Sequence, residues 1–432
     1  MLNSYFKNSL LKRKNGFLGE FLWRKWDVFS NFQVNGSNGN LQRSKIRAVF
    51  SSAAYCVCWP IALTSGLERR KGFSRIPQKA NSHFMEIFLI VCSSLILVFT
   101  LMPLIKHESW VFRIFDYPRL QKFVATCFCI GLLVIYYQKN HPVLQVFLVL
   151  MPLNAAFLMY QIFPFTRIAK VQVASVSKEI KDQGISLMIA NVYQENDNFK
   201  GCLSEIKKAS PDVVLLLETN SKWDEETASL AEDFKFNVKV PLENTYGLLL
   251  YSKLEIVSAE VKYLVENDIP SVHATVVLPS GQHVRLFAVH PTPPVPNENP
   301  RSSERDKELL LVADLAKGSD LPVIVIGDLN DVAWSYTTEL FLKMSGLLDP
   351  RRGRGFFNSF HAHHWFLRFP LDHAFISTDM KLKEMRRLEN FNSDHFPIFI
   401  SLQYEKDAKF QQTEMQPDLE DLEIAAEKKA AV

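Results

Sequence analysis

Three apolar runs fall within 80 residues of one another: "FMEIFLIVCSSLILVFTLMPLI" (84–105), "FVATCFCIGLLVIYYQ" (123–138) and "PVLQVFLVLMPLNAAFLMYQIF" (142–163). A helix crossing a bilayer needs about 20 apolar residues, which the first and third runs supply. The second is shorter, but Lys122 and Lys139 flank it and can snorkel from its ends. The expectation is a transmembrane region over 81–166 with spans at about 84–105, 120–138 and 142–163, the last two joined by a tight hairpin at Lys139-Asn140-His141. A weaker run at 48–66 is diluted by Ser, Thr and Pro. Counting it would put the basic "ERRKGFSRIPQK" segment outside, against the positive-inside rule, so it is left out. Arg69, Arg70, Lys71, Arg75 and Lys79 then favour an inside N-terminus, and three spans carry the rest of the chain to the outer, periplasmic or extracellular side. Lys106, Arg113 and Arg119 pull the other way.

The formal net charge of +3 hides an asymmetry. Residues 1–80 hold 14 Lys or Arg against 3 acids and read as a poorly ordered basic arm, suited either to anionic lipid headgroups or to plain solvation. Residues 405–432 hold 8 acids against 4 Lys and read as a flexible tail, with a short helix in "LEDLEIAAEKKAA". Five of the six cysteines precede residue 184; Cys202 alone follows it, so no disulfide framework exists there.

After a linker over 167–183, the pattern changes to short apolar strands with interspersed helices over 184–404. "ISLMIANVY" and "PDVVLLLETN" read as strands, "FKGCLSEIKKAS" and "RSSERDKELLLVADLAKGS" as amphipathic helices, and Pro-Ser-Gly at 279–281 as a hairpin turn. The class this implies is a layered α/β sandwich.

Several strands share one feature: an apolar run that ends in a proton- or metal-competent side chain. "LMIAN" ends in Asn191, "VVLLLE" in Glu218, "RLFAVH" in His290, and "VIVIGDLN" in Asp328 and Asn330. The pairs Asp372-His373 and Asp394-His395 flank two more apolar strands. Side chains two apart on a strand face the same way, so Asp328 and Asn330 are expected to face one site. Oxygen donors such as Glu218 and Asn191 suit Mg²⁺ or Mn²⁺, and no Cys pair or His-x-x-x-His spacing offers a zinc site. The chemistry this supports is metal-assisted attack of water on a phosphate ester. Asp328 would deprotonate the water, Asn330, His290 and His395 would donate to phosphoryl oxygens, and Asp372 would pair with His395.

At these residues the sequence resembles the endonuclease/exonuclease/phosphatase superfamily. The resemblance rests on Asn191, on Glu218 in "PDVVLLLET", on "YGLLLYSKLEI", and on His290 in "AVHPTPP". It continues through "GDLN", Asp372 in "PLDHAFIS" and the Asp394-His395 pair, and covers about residues 184–404. It implies a four-layer α/β sandwich of the deoxyribonuclease I type, with Mg²⁺-dependent (or Mn²⁺-dependent) phosphoesterase activity. Glu218 and Asn191, with Asp394, would hold the metal. Asp328 and Asn330 would serve the attacking water, and His290 and His395 would contact phosphate. The spans ahead of this domain resemble membrane-tethered bacterial members.

Two departures stand out. Tyr193 occupies the place where abasic-site endonucleases carry a further acid, and no Glu clearly pairs with His290. Nucleic acid is the leading substrate on this reading. A phospholipid or phosphoinositide, or a non-catalytic binding module that keeps the fold, are the alternatives. His373 is expected to pack rather than react. The loop "RRGRGFFNSFHAHHWFLRFP" (351–370) is expected either to contact substrate or to lie on a membrane surface.

Overall fold

The apolar runs on the strands sort into three packed cores, and these define the layers. The computed structural model describes residues 78–137 and 141–431. The weak run at 48–66 and the basic arm, except its last residues, lie outside the described residues.

Helix α1 (Gln78–Leu101) is followed by a short α2 (Trp110–Arg113), then by α3 (Arg119–Ile135) and α4 (Pro142–Ile162). Leu89, Cys129, Leu133, Leu144, Phe147 and Met151 form a narrow core among α1, α3 and α4. Their outward faces are apolar as well: Phe84, Val91, Leu95, Val98, Val124, Phe128, Val146, Val149 and Leu153 are all exposed.

Two described helices, His83–Leu104 and Pro142–Phe165, are long and apolar enough to cross a bilayer. The expected middle span is not one of these two: α3 has 17 residues, and its first turn is not apolar. Arg119 pairs with Asp116 at 2.7 Å, and Lys122, expected to snorkel, donates instead to the carbonyls of Phe99 (3.0 Å) and Phe115 (2.8 Å); Lys139 and Asn140 of the expected hairpin lie outside the described residues.

Next come β1 (Gly184–Asn191), α5 (Phe199–Ala209), β2 (Val213–Leu217), α6 (Ser221–Glu226), β3 (Phe236–Val240) and β4 (Leu248–Ser252). They are followed by β5 (Ile256–Lys262), β6 (Ser271–Val277), β7 (His283–Val289), α7 (Ser303–Lys317), β8 (Val323–Asp328) and α8 (Tyr336–Ser345). The last elements are β9 (Asp372–Ile376), β10 (Met380–Arg387), β11 (Ile398–Tyr404) and α9 (Leu419–Ala430). One sheet has the order β10-β11-β1-β2-β4-β3, the other β5-β6-β7-β8-β9. Each contains one parallel pair, β1/β2 and β7/β8, bridged by the crossover helices α5 and α7, as parallel neighbours require.

Residues such as Leu187, Leu215, Leu250, Ala274, Leu286, Ile324 and Ile400 fill the space between the sheets. Phe199, Cys202 and Ile206 of α5, spaced along one helical face, pack with Trp223 on the outer face of the first sheet. Leu309, Val312, Ala313 and Ala316 of α7 and Phe341 and Leu342 of α8 cover the second. The layers are therefore helix, sheet, sheet, helix, and the chain carries an α/β sandwich of two mixed sheets.

The C-terminal tail, expected to be flexible, is ordered over α9. Asp418 and Asp421 form a capping box at its start, Ala425 packs on Leu310 and Leu340, and Lys428 reaches Asp306 at 2.7 Å. The linker at 167–183 likewise lies along the sandwich: Ser175 bridges Leu382, and Gln172 accepts from the Asp349 amide.

Candidate active site

Strand register explains why distant polar residues converge. β1, β2, β7 and β8 all run toward the same edge of the sandwich. β9 is antiparallel to β8 with Asp372 directly opposite Asp328. β11 is antiparallel to β1 with Ile398 opposite Ile189, which brings the preceding His395 to that edge too.

Two glycines make the edge possible. A Cβ on Gly327 would lie 1.8 Å from the Val289 carbonyl oxygen, and one on Gly247 would lie 1.8 Å from that of Thr219. Both positions therefore exclude side chains beside His290 and Glu218, respectively. Glu218 (φ 58°) and Asn330 (φ 49°) adopt left-handed backbone without being glycine, and such strain concentrates at functional positions.

The side chains form one hydrogen-bonded chain. Asn191 Nδ2 donates to Glu218 Oε1 at 2.7 Å and to Asp328 Oδ2 at 3.1 Å. His395 Nε2 lies 3.5 Å from Asp328 Oδ2, and its Nδ1 lies 2.7 Å from Asp372 Oδ2. The Asn330 amide donates to Asp328 Oδ1 at 2.9 Å. Half-buried Glu218 and buried Asp328 thus meet through Asn191, Asp372 joins them through His395, and Asn330 fixes the Asp328 carboxylate from outside the row. The expected reason for the Asp328–Asn330 pairing is corrected. The strand ends at Asp328, and the Asn330 side chain donates to the Pro291 carbonyl at 3.0 Å, so a turn and not strand alternation couples them.

The two histidines are driven apart. Burial alone would lower the His395 pKa, but the Asp372 and Asp328 carboxylates outweigh it and push it up to about 10. His290 is lowered to about 4, chiefly by burial, which Asp328 offsets only in part. At neutral pH His395 is a cationic donor and His290 is neutral. His290 Nδ1 is buried with no hydrogen-bond partner, and its ring rests 5.3 Å from that of Tyr246, whose hydroxyl donates to Glu298. Burial is likewise the first cause that raises Glu218 to about 7, with Asp394 and Asp328 adding to it against the Asn191 hydrogen bond and His395.

A divalent cation fits this charge balance. Four carboxylates, Glu218, Asp328, Asp372 and Asp394, surround one cationic imidazole, and buried Oδ1 atoms of Asp372 and Asp394 have no partner. Ligand atoms of Asp328, Asp372 and His395 lie within 4.8 Å of one another. That trio is a poor cage, however, because both His395 nitrogens already face carboxylates and a protonated imidazole cannot ligate. The Glu218–Asp394 side is the better fit. Asn191 enters here as a donor to Glu218 and Asp328, with its Oδ1 accepting from the Tyr193 amide at 3.1 Å.

Several supporting residues carried no signal in the sequence. Ser393 donates to the Asn191 carbonyl at 2.7 Å and accepts from the His395 amide, tying the Ser-Asp-His loop to β1. Ser359 accepts from the Leu371 and Asp372 amides and fixes the start of β9. The Asn330 carbonyl accepts from the Tyr117 hydroxyl at 2.9 Å and from Arg305 at 2.8 Å. His373 packs as expected: it is buried, and its Nε2 lies 2.9 Å from the Asp331 carbonyl.

Residues 188–395 match the model of the Endonuclease/Exonuclease/phosphatase family. Among solved structures, the chain is similar to D. rerio TDP2 complexed with single strand DNA product, at 19% identity and TM-score 0.44 over 51% of this chain and 98% of that one. It is similar to the human Nocturnin catalytic domain with bound sulfate anion, at 17% identity and TM-score 0.42 over 52% and 96%. An endonuclease/exonuclease/phosphatase from Beutenbergia cavernae is similar at 17% identity and TM-score 0.42 over 52% and 72%. The comparison with curated proteins gives no match.

Proposed function

We propose, from the premise that residues 188–395 form an endonuclease/exonuclease/phosphatase domain, that this protein is a divalent-metal-dependent phosphodiesterase held at a membrane by α1, α3 and α4. The observation that carries the reading is the hydrogen-bonded row Glu218–Asn191–Asp328–His395–Asp372 at one edge of the sandwich. Glu218 and Asp394 would hold Mg²⁺ or Mn²⁺. When bound, that ion neutralises charge developing on the phosphoryl and leaving oxygens.

The chain's own residues do the rest. Asp328, held by the Asn330 amide, orients a water and takes its proton. His395, kept protonated by Asp372, donates to a phosphoryl oxygen and stabilises its growing charge. His290 offers a neutral, unpartnered nitrogen to a second oxygen.

The membrane reading is supported by the outward faces of α1, α3 and α4, where large apolar side chains are exposed along the helices. With the start of α1 inside by the positive-inside rule, crossings by α1, α3 and α4 would carry the sandwich to the outer side. Nucleic acid suits the chemistry. A phospholipid headgroup is the second reading, favoured because the loop after β8 rests on the segment that enters α3.

The test is hydrolysis by the full chain in detergent, with Mg²⁺, Mn²⁺ or EDTA, of bis(4-nitrophenyl) phosphate, single-stranded DNA, RNA and dispersed phospholipid. Metal-dependent turnover lost in both Asp328→Ala and Glu218→Ala supports the reading. A folded protein that turns over none of these esters refutes it and leaves the non-catalytic binding module.

A further inference from the structure

The outward apolar surface of the helices does not stop where the helices end. Leu104 and Ile105 after α1, Val111 and Ile114 around α2, and Phe163 and Ile168 after α4 are all exposed on the side where the sandwich sits. Arg167 and Lys170 are exposed in the same stretch, the arrangement that suits an anionic headgroup layer. The sandwich adds its own patch at this level: Trp365 is 80% exposed, Phe366 53% and Leu367 40%. Three consecutive large apolar side chains facing outward are costly in water, at about 25 cal/mol per Å².

This patch is joined to both the helices and the site. Gln121, in the first turn of α3, donates to the Phe366 carbonyl at 2.7 Å. The His361 amide donates to the Leu367 carbonyl at 3.0 Å, and the Ala362 amide to the Asp394 carbonyl at 2.6 Å. Phe360 bridges His395 in the backbone, and their rings lie 5.0 Å apart. A single short loop thus runs from the start of a membrane helix to the two residues, Asp394 and His395, at one wall of the site.

We propose that the 361–368 loop is a bilayer-docking element: Trp365, Phe366 and Leu367 insert at the headgroup–acyl boundary beside α3 and hold the cleft over the lipid surface, where it takes phosphodiesters presented in the plane of the membrane. The occupant is the bilayer itself, because the patch is continuous through Gln121 with the apolar exterior of α3. Indole and phenyl rings favour that boundary, where one edge is apolar and the other wet. The inference rests on the phosphodiesterase reading for its substrate and on the helical exterior for its membrane.

The test uses the full chain reconstituted into phosphatidylcholine–phosphatidylglycerol vesicles. The Trp365 emission is taken as the difference between wild type and Trp365→Phe, and acyl-brominated phosphatidylcholine serves as quencher. In parallel, wild type and the combined Trp365→Ser, Phe366→Ser, Leu367→Ser variant are assayed on phospholipid within the vesicles and on soluble bis(4-nitrophenyl) phosphate. The expected result is quenching of the Trp365 signal, with a tenfold or greater loss on the bilayer ester and none on the soluble one. A Trp365 signal untouched by brominated lipid overturns the docking, as does a triple variant equal to wild type on both esters. Preference of wild type for single-stranded DNA over the bilayer ester overturns the substrate assignment. Wild type inactive on every ester refutes the phosphodiesterase reading instead, and the quenching alone then decides the docking.

Discussion

Two clusters of buried charge lie on either side of the loop that follows β8, and they differ in how their charges are met. On one side, Arg305 donates to Asp306 and to the Asn330 carbonyl and lies 3.4 Å from Asp331. Asp306 also takes Ser302 and Lys428, and Asp331 takes Ser335 and the Val332 amide. Arg305, Lys428, Asp306 and Asp331 each have an opposite charge beside them, and none of the four has a buried side-chain atom left without a partner. On the other side, four carboxylates face one imidazolium, and Asp372 Oδ1, Asp394 Oδ1 and His290 Nδ1 are left over. Buried ions that cancel one another are scaffold. Buried ions that do not cancel are held in place for something that arrives from outside.

The sharpest break of this contrast is Asp328→Ala, which removes the proposed base. Turnover should fall by about 10²–10⁴-fold while the thermal midpoint stays within a few degrees, read by steady-state rates and calorimetry. Arg305→Met should do the reverse. It leaves Asp306 and Asp331 without their shared cation, so stability should drop by about 3–5 kcal/mol in urea titrations, with kcat per folded molecule largely kept.

A third outcome concerns pH. Burial works against the Asp306 carboxylate, but Arg305, Lys428 and Arg113 hold its pKa at about 2, below the ordinary 3.8. Its contribution is therefore fully present above the ordinary value and lost as pH falls toward 2. The urea midpoint of Asp306→Asn should sit below that of wild type at neutral pH, and the gap should narrow on acidification. A gap independent of pH would show that the pairing does not depend on the charge. Last and smallest, Tyr117→Phe removes one hydrogen bond to the Asn330 carbonyl and should cost about 1 kcal/mol of stability.

The uncancelled side was the more legible in sequence. Its members stand at strand ends, and an apolar run closing on Asp328 or Glu218 is visible without any knowledge of the partner strand. Register then did the assembling, as Asp372 opposite Asp328 shows. The glycines of "YGLLLYS" and "VIVIGD" could be read only as motif letters; the space each denies to a side chain emerged from the packing of neighbouring backbone.

The cancelled side was hidden. Arg305 sits in a helix read as amphipathic, whose charged residues hydropathy assigns to solvent, and Lys428 in a tail whose acidity suggests flexibility. Their partners are fixed by contacts such as Lys428–Asp306 and Lys343–Asp421, far apart in the chain. Arg119 and Lys122 were hidden for a different reason. Hydropathy sees cations at a helix end and assigns them to an interface, whereas local carbonyls and Asp116 draw them inward. Pairing across long sequence separations is a property of the folded chain, and periodicity carries no trace of it.

The central claim is that the uncancelled cluster exists to take a divalent cation. It is tested most directly by titrating the full-length protein with Mn²⁺ and following the loss of free-ion paramagnetic resonance, for wild type, Glu218→Gln and Asp306→Asn. The account predicts one saturable site in wild type, its loss in Glu218→Gln, and its retention in Asp306→Asn. Equal binding by wild type and Glu218→Gln would contradict it.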